Sequence, residues 1–141
     1  MALADWKGYL LRAVETDTIL DAKFIEESSY KATPNQREEI KAYRDENTRD
    51  LTRITAIGKK SKIIFNTRDN LHLKDKIKLQ EFFTDAESDH NERKVLLEFW
   101  NDEENIYKQG YFYRPDIQFT IKKIEETDII YSKVEIHLIE Y

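Results

Sequence analysis

The chain has 141 residues, 40% of them apolar, 12% aromatic and 36% charged, which suits one domain with its own core and is too aromatic for a disordered chain. Acids outnumber bases 28 to 23 and the two signs are interspersed, so the net charge of −5 disfavours nonspecific nucleic-acid binding. The absence of cysteine excludes disulfide frameworks, thiolate zinc sites and cysteine nucleophiles, and leaves the redox compartment open.

At the start, MALADWKGYLLRAV sets Asp5 and Lys7 beside its apolar patch. It lacks the run of about 7 to 15 apolar residues that a signal peptide needs, and no membrane span is expected. Short strands are expected around Tyr9 to Val14 and Ile19 to Ile25. The next segment, TPNQREEIKAYRDENTRD, supports two readings. Thr33 as N-cap, Pro34 at the first helical position and Gln36 three residues after Thr33 make a helix start. Tyr43, Leu51 and Ile54 around the polar DENTRD instead suit a hairpin whose tip projects from a sheet.

LTRITAI and KIIFN, joined through Gly58, predict a second hairpin, with Ile63 and Phe65 in its second strand. LKDKIKLQEFF predicts the one amphipathic helix, near Lys74 to Thr84. Leu73, Ile77 and Phe83 share its face, Leu79 and Phe82 widen it, and Lys74, Lys78 and Glu81 face water. Val95, Leu97 and Phe99 then alternate with Leu96, Glu98 and Trp100, and an acidic turn from Asn101 to Asn105 leads into IYKQGYFYR. This is a hairpin with a longer loop. In its second strand Tyr107, Tyr111 and Tyr113 fall on one parity and Ile106, Gly110 and Phe112 on the other, until Arg114-Pro115 ends it. Ile117, Phe119 and Ile121 alternate with Gln118, Thr120 and Lys122 as in a half-buried strand. Val134, Ile136 and Leu138 repeat the pattern against Lys133, Glu135 and His137. No linker, repeat or low-complexity tract divides residues 1–141, so a single domain is expected, a mostly antiparallel sheet with one wet face and one helix packed on it.

Chemistry is sparse. Asp85, Glu87 and Asp89 have the spacing of a calcium-loop start, yet the sixth and twelfth positions hold His90 and Leu96 where Gly and Glu are required. His72, His90 and His137 show no zinc spacing. No nucleophile elbow, Walker A or dinucleotide fingerprint occurs, and three glycines could hardly build a phosphate cradle. Neither catalysis nor a metal or cofactor is expected. Lys59, Lys60 and Lys62, or Lys108 and Arg114 beside the tyrosines, would be the basic-aromatic candidates for nucleic acid. Strand-end solubility and cross-strand packing account for them better.

SSYKATPNQREE with YRDENTRDLTR, then KKSKIIFNT, LHLKDKIKLQEFF, VLLEFWNDEENIYKQGYFYRPDIQF and the closing IHLIEY occur in that order over residues 25–141. Together they resemble the small structural proteins of phage and prophage tails from Gram-positive hosts. The resemblance implies a β-sandwich or barrel with a flanking helix, like tail-tube and baseplate-hub building blocks. It also implies a homo-oligomeric ring, hexameric and shared with other tail proteins, in a virion assembled in the host cytoplasm. DNA would be only passing cargo, so a channel surface should be neutral or acidic. In such relatives the loop matching DENTRD often carries a glycine; here Asn47 is the residue expected to take a left-handed conformation. The expected intersubunit arm is the 44–53 loop, with Arg44, Arg49 and Arg53 near Asp45, Glu46 and Asp50, and Tyr111 and Tyr113 are the expected aromatic anchors. A carbohydrate- or protein-binding β module unrelated to tails is the alternative.

Overall fold

A computed structural model describes residues 6–36, 39–44, 49, 51–55 and 60–141. In chain order its strands are β1 (Leu11–Ala13), β2 (Thr18–Ile19), β3 (Lys31–Gln36), β4 (Glu39–Arg44), β5 (Leu51–Thr55), β6 (Lys60–Asn66) and β7 (Leu71–His72). The helix α1 (Leu73–Thr84) follows, then β8 (Glu87–Asp89), β9 (Lys94–Asn101), β10 (Ile106–Tyr113), β11 (Ile121–Ile124), β12 (Ile129–Tyr131) and β13 (Glu135–Glu140). Two short 3₁₀ turns, Ala22–Phe24 and Glu27–Ser29, join β2 to β3.

The principal sheet runs β2-β1-β9-β10-β13-β6-β3, with β8 also on β9, and every pairing is antiparallel. Alternation decides its inner face. Leu11, Ala13, Ile63, Phe65, Val95, Leu97, Phe99, Phe112, Ile136 and Leu138 are all 2% exposed or less, so the expected alternation of β9, β10 and β13 holds. Phe99 and Phe112 meet edge to face across β9 and β10, centroids 5.2 Å apart. Leu79, Phe82 and Phe83 of α1 join this core, giving the mainly β, antiparallel architecture with one helix. Thr67 and Asn101, both fully buried, are tied in. Thr67 exchanges two bonds with Val134, and the Asn101 carboxamide oxygen accepts from Glu103 and Glu104 N–H, closing the acidic turn.

The helix starts without a capping bond from its own N-cap, His72. Asp128, on the β11–β12 turn, takes that part: Oδ1 accepts the Leu73 and Ile129 N–H groups and Oδ2 pairs with His72 Nδ1 at 2.7 Å. β12 pairs β7 on one side and β11 on the other, so this three-stranded sheet hangs on the helix start.

Five expectations need correction. The apolar face of α1 is centred on Leu79, Phe82 and Phe83, and Ile77 is 43% exposed. At about 100° per residue Ile77 lies roughly 120° or more around the helix from those three. The segment Ile19 to Ile25 keeps a strand only at Thr18–Ile19, because the Asp21 carboxylate accepts Lys23 N–H at 3.0 Å and turns the chain into 3₁₀ geometry. The Thr33-Pro34 helix start is absent, since Lys31–Gln36 is an edge strand. It has a register shift after Thr33 and left-handed backbone at Asn35 (φ 55), a bulge that accommodates Pro34. The hairpin alternative holds: β4 pairs β5. The expected hairpin between LTRITAI and KIIFN is not formed, because β13 and β3 occupy the two edges of β6 and leave β5 to β4. Last, residues 117–120 are not strand. Ile117 packs against the core, whereas Phe119 and Ile121 are 37% and 52% exposed, and pairing begins only at Ile121 opposite Tyr131.

Candidate subunit interface

The expected arm is a two-stranded sheet of its own. Ala42 stands opposite Arg53 and Arg44 opposite Leu51, so Arg44 and Arg53 flank the turn. Among the described strands, β4 and β5 pair with nothing but each other. Asp45, Glu46, Asn47 and Asp50, and with them the conformation expected at Asn47, lie outside the described residues. Arg49 is left-handed, exposed at φ 63.

Tyr111 and Tyr113 sit on the outer face of β10, opposite in parity to the buried Phe112. Tyr111 is 41% exposed and its carbonyl accepts Tyr141 N–H at 2.9 Å. Tyr113 meets the Tyr141 ring edge-on at 5.4 Å, and Lys94 lies 4.8 Å from both the Tyr111 and Tyr141 rings. The structure therefore gathers Tyr111, Tyr113, Tyr141 and Lys94 into one patch, with no strand pairing between that sheet and the β4–β5 hairpin.

Trp100 and Tyr107 of the β9–β10 hairpin hold residues 6–9. Tyr107 Oη donates to the Tyr9 carbonyl at 2.7 Å and accepts Lys7 N–H at 3.1 Å. Trp6 packs edge-on against Trp100 at 5.2 Å and parallel to Tyr107 at 6.2 Å. Below them Glu98 takes a fork from Arg12, Nε and Nη2 each at 3.2 Å, and accepts the Tyr9 hydroxyl proton. The Arg12 bond holds the Glu98 carboxyl below its ordinary range, while burial first and Glu98 second push the Tyr9 phenol up.

Sequence reasoning missed the groove that this strap borders. It has a volume of about 640 Å³ between Trp6, Tyr9 and Leu10 on one side and Ile19, Leu20, Ile25 and Tyr30 on the other, with Asp21 and Glu27 also lining it. The Tyr30 hydroxyl is buried without a hydrogen-bond partner among the described residues, and burial pushes its pKa well above the ordinary phenol value. The aromatic spacing of Trp6 and Tyr9 ahead of β1 was the available signal.

Elsewhere the charged candidates are used internally. Glu87, with 4% of its side chain exposed, pairs with Arg114 at 3.3 Å and His90 at 2.7 Å, and Asp89 Oδ1 accepts Asn91 and Glu92 N–H. Asp85 closes the C-terminus of α1.

Residues 1–141 match the family of unknown function DUF6711 along their whole length. The chain belongs to this family. None of the curated proteins matches it. Among solved structures the fold is similar to a chain in the tail of an empty GTA (gene transfer agent) particle, which has C6 symmetry. The TM-score is 0.52 at 12% identity, over 96% of this chain and 94% of that one. At that identity the likeness establishes the fold.

Proposed function

We propose that this DUF6711 protein is a structural subunit of a phage or phage-like tail, without catalytic activity, joining or forming a ring around the DNA channel. The observation that carries the reading is the end-to-end likeness to a tail chain of a C6-symmetric particle, with almost nothing left over in either chain. A module that shared only a sheet with such a protein would leave much of one chain unmatched, whereas this match covers 96% of this chain and 94% of that one. The resemblance to tail proteins of Gram-positive hosts supports the same reading, as does a β4–β5 hairpin that pairs apart from the main sheet. A lone two-stranded hairpin is marginal in water, so a neighbouring subunit is a natural support for it.

In this reading the copies form a hexamer in the virion, in contact with other tail proteins, and DNA passes as cargo. Arg44, Arg49 and Arg53 with Asp45, Glu46 and Asp50 set the register between neighbours, since interspersed charges confer specificity at modest affinity. Imaging of purified particles carrying a tag on this chain tests the reading: the label should decorate the tail at six-fold positions. Label absent from the tail refutes it. Reversing Arg44 and Arg49 together to Glu should impair assembly with an unchanged thermal melt, and normal infectious tails from that variant would remove the arm assignment alone.

A further inference from the structure

Two surfaces of this chain fit each other. The groove beneath Trp6 is apolar, with Trp6 45% and Ile19 52% exposed at its mouth, and neither Asp21 nor Glu27 has an ion-pair partner among the described residues. Elsewhere on the fold, β11 pairs β12 along one edge and no described strand along the other. Its sequence is Ile-Lys-Lys-Ile, with Ile121 52% and Ile124 76% exposed, and Phe119 beside them is 37% exposed. The two lysines guard this free edge, but the solvated isoleucines and Phe119 beside them leave apolar surface that a partner could cover.

We infer that β11 of one copy docks in the Trp6–Tyr30 groove of the next, with Ile121 or Ile124 entering between Trp6 and Ile19 and a lysine reaching Asp21 or Glu27. The inference rests on the ring reading and gives that ring its contact. The two surfaces share no residue, so the contact is heterologous, and a head-to-tail contact of this kind closes a ring when its rotation divides the circle. Chemistry matches on both counts: apolar against apolar at the centre, cation against carboxylate at the rim. Lys122 and Lys123 now pair with Asp69 and Glu125 at 2.8 and 3.1 Å, but all four side chains are 40% exposed or more, and such surface pairs exchange partners at little cost.

The competing occupant of the groove is the chain's own residues 1–5, which adjoin Trp6. The absence of cysteine makes the test direct. Ile19→Cys and Ile124→Cys are prepared as separate full-length proteins, mixed and mildly oxidised. Cross-linked I19C–I124C heterodimers in excess of either homodimer, and a closed ladder from the I19C/I124C double variant, are the expected result. Ile121→Asp with Ile124→Asp should shift the chain to monomer in light scattering while its melt stays within a few degrees. Predominant homodimers, a wild-type chain monomeric up to its solubility limit, or cross-linking that appears only after residues 1–5 are deleted would each overturn the contact. If rings form and survive the double Asp change, the contact is wrong while the ring stands; if labelled particles carry no label in the tail, the ring reading itself has failed.

Discussion

Glu87→Leu should be among the most damaging single substitutions away from the hydrophobic residues. Its carboxylate has 4% of its side chain exposed and faces the Arg114 guanidinium, which has 10% exposed and lies 4.8 Å from the Phe83 ring. Burial already holds the Arg114 pKa below its ordinary value, Glu87 is what counters that, and Arg93 adds repulsion. Arg114 Nε has no hydrogen-bond partner among the described residues. Removing Glu87 therefore strands a cation in a dry site, a loss of about 3–5 kcal/mol. Stability of a chain this size is on the order of 7–21 kcal/mol, so the loss is a large fraction of the whole and lowers Tm by roughly 6–20 °C. Urea unfolding followed by circular dichroism measures it. Replacing both partners, Glu87→Leu with Arg114→Met, should return stability to within about 1 kcal/mol of wild type, because the desolvation cost disappears with the charges. His90, on the same carboxylate but with 74% of its side chain exposed, should matter little: His90→Ala within about 0.5 kcal/mol. A Glu87→Leu loss under about 1 kcal/mol, or a double variant no better than the single, would refute the buried-pair argument.

Gly110→Ala should cost about 1–3 kcal/mol in the same assay, because a Cβ there meets the Glu140 side chain, whose Oε1 accepts Ser61 N–H at 2.8 Å; the penalty should vanish in a Glu140→Ala background. The hydrogen bond between His72 and Asp128 raises the imidazole pKa and lowers the carboxyl pKa. Its contribution is therefore complete above the unfolded Asp pKa and below the unfolded His pKa, fading as pH rises through the folded His72 value or falls through the folded Asp128 value. NMR titration should show the His72 midpoint move down on Asp128→Asn, and an unmoved midpoint would contradict the pairing. EDTA should leave Tm unchanged, since Glu87 and Asp89 are committed to Arg114, His90 and the turn N–H groups; a fall restored by calcium would show a site there.

Much of the fold was legible because burial has a period. β9, β10 and β13 each bury one parity, and α1 begins one residue before its expected start. Periodicity names a face and never a partner. Nothing in LTRITAI or KIIFN shows that β13, more than 60 residues away, takes the edge of β6 that a local hairpin would use. Ile117 to Thr120 continues an alternation and still is not strand, because pairing with β12 begins only at Ile121. The candidate interface divides the same way. Arg44 and Arg53 could be placed beside a hairpin tip from local pattern, and Tyr111 and Tyr113 on an outer face from parity. The groove needed Trp6, Ile19 and Tyr30 to converge from three segments, one of them bent by the Asp21 turn that strand propensity could not anticipate.

For the proposed ring, the distribution of exposed apolar side chains sets how strong each contact can be. Among the described residues the exposed large apolar side chains fall in small sets: Trp6 and Ile19, Phe119 with Ile121 and Ile124, Ile77, and Tyr111 with Tyr141. With one to three residues in each set, a single contact through any of them would be weak. In a closed ring every copy uses a donor and an acceptor surface at once, and the last contact forms within an already connected assembly at high effective concentration. Closure then supplies cooperativity that no single patch contains. Weak heterologous contacts also leave the free chain without a large sticky face, provided the edge of β11 carries its lysines. Replacing Lys122 and Lys123 with apolar residues would strengthen each contact and, by the same physics, invite open-ended association in place of a ring.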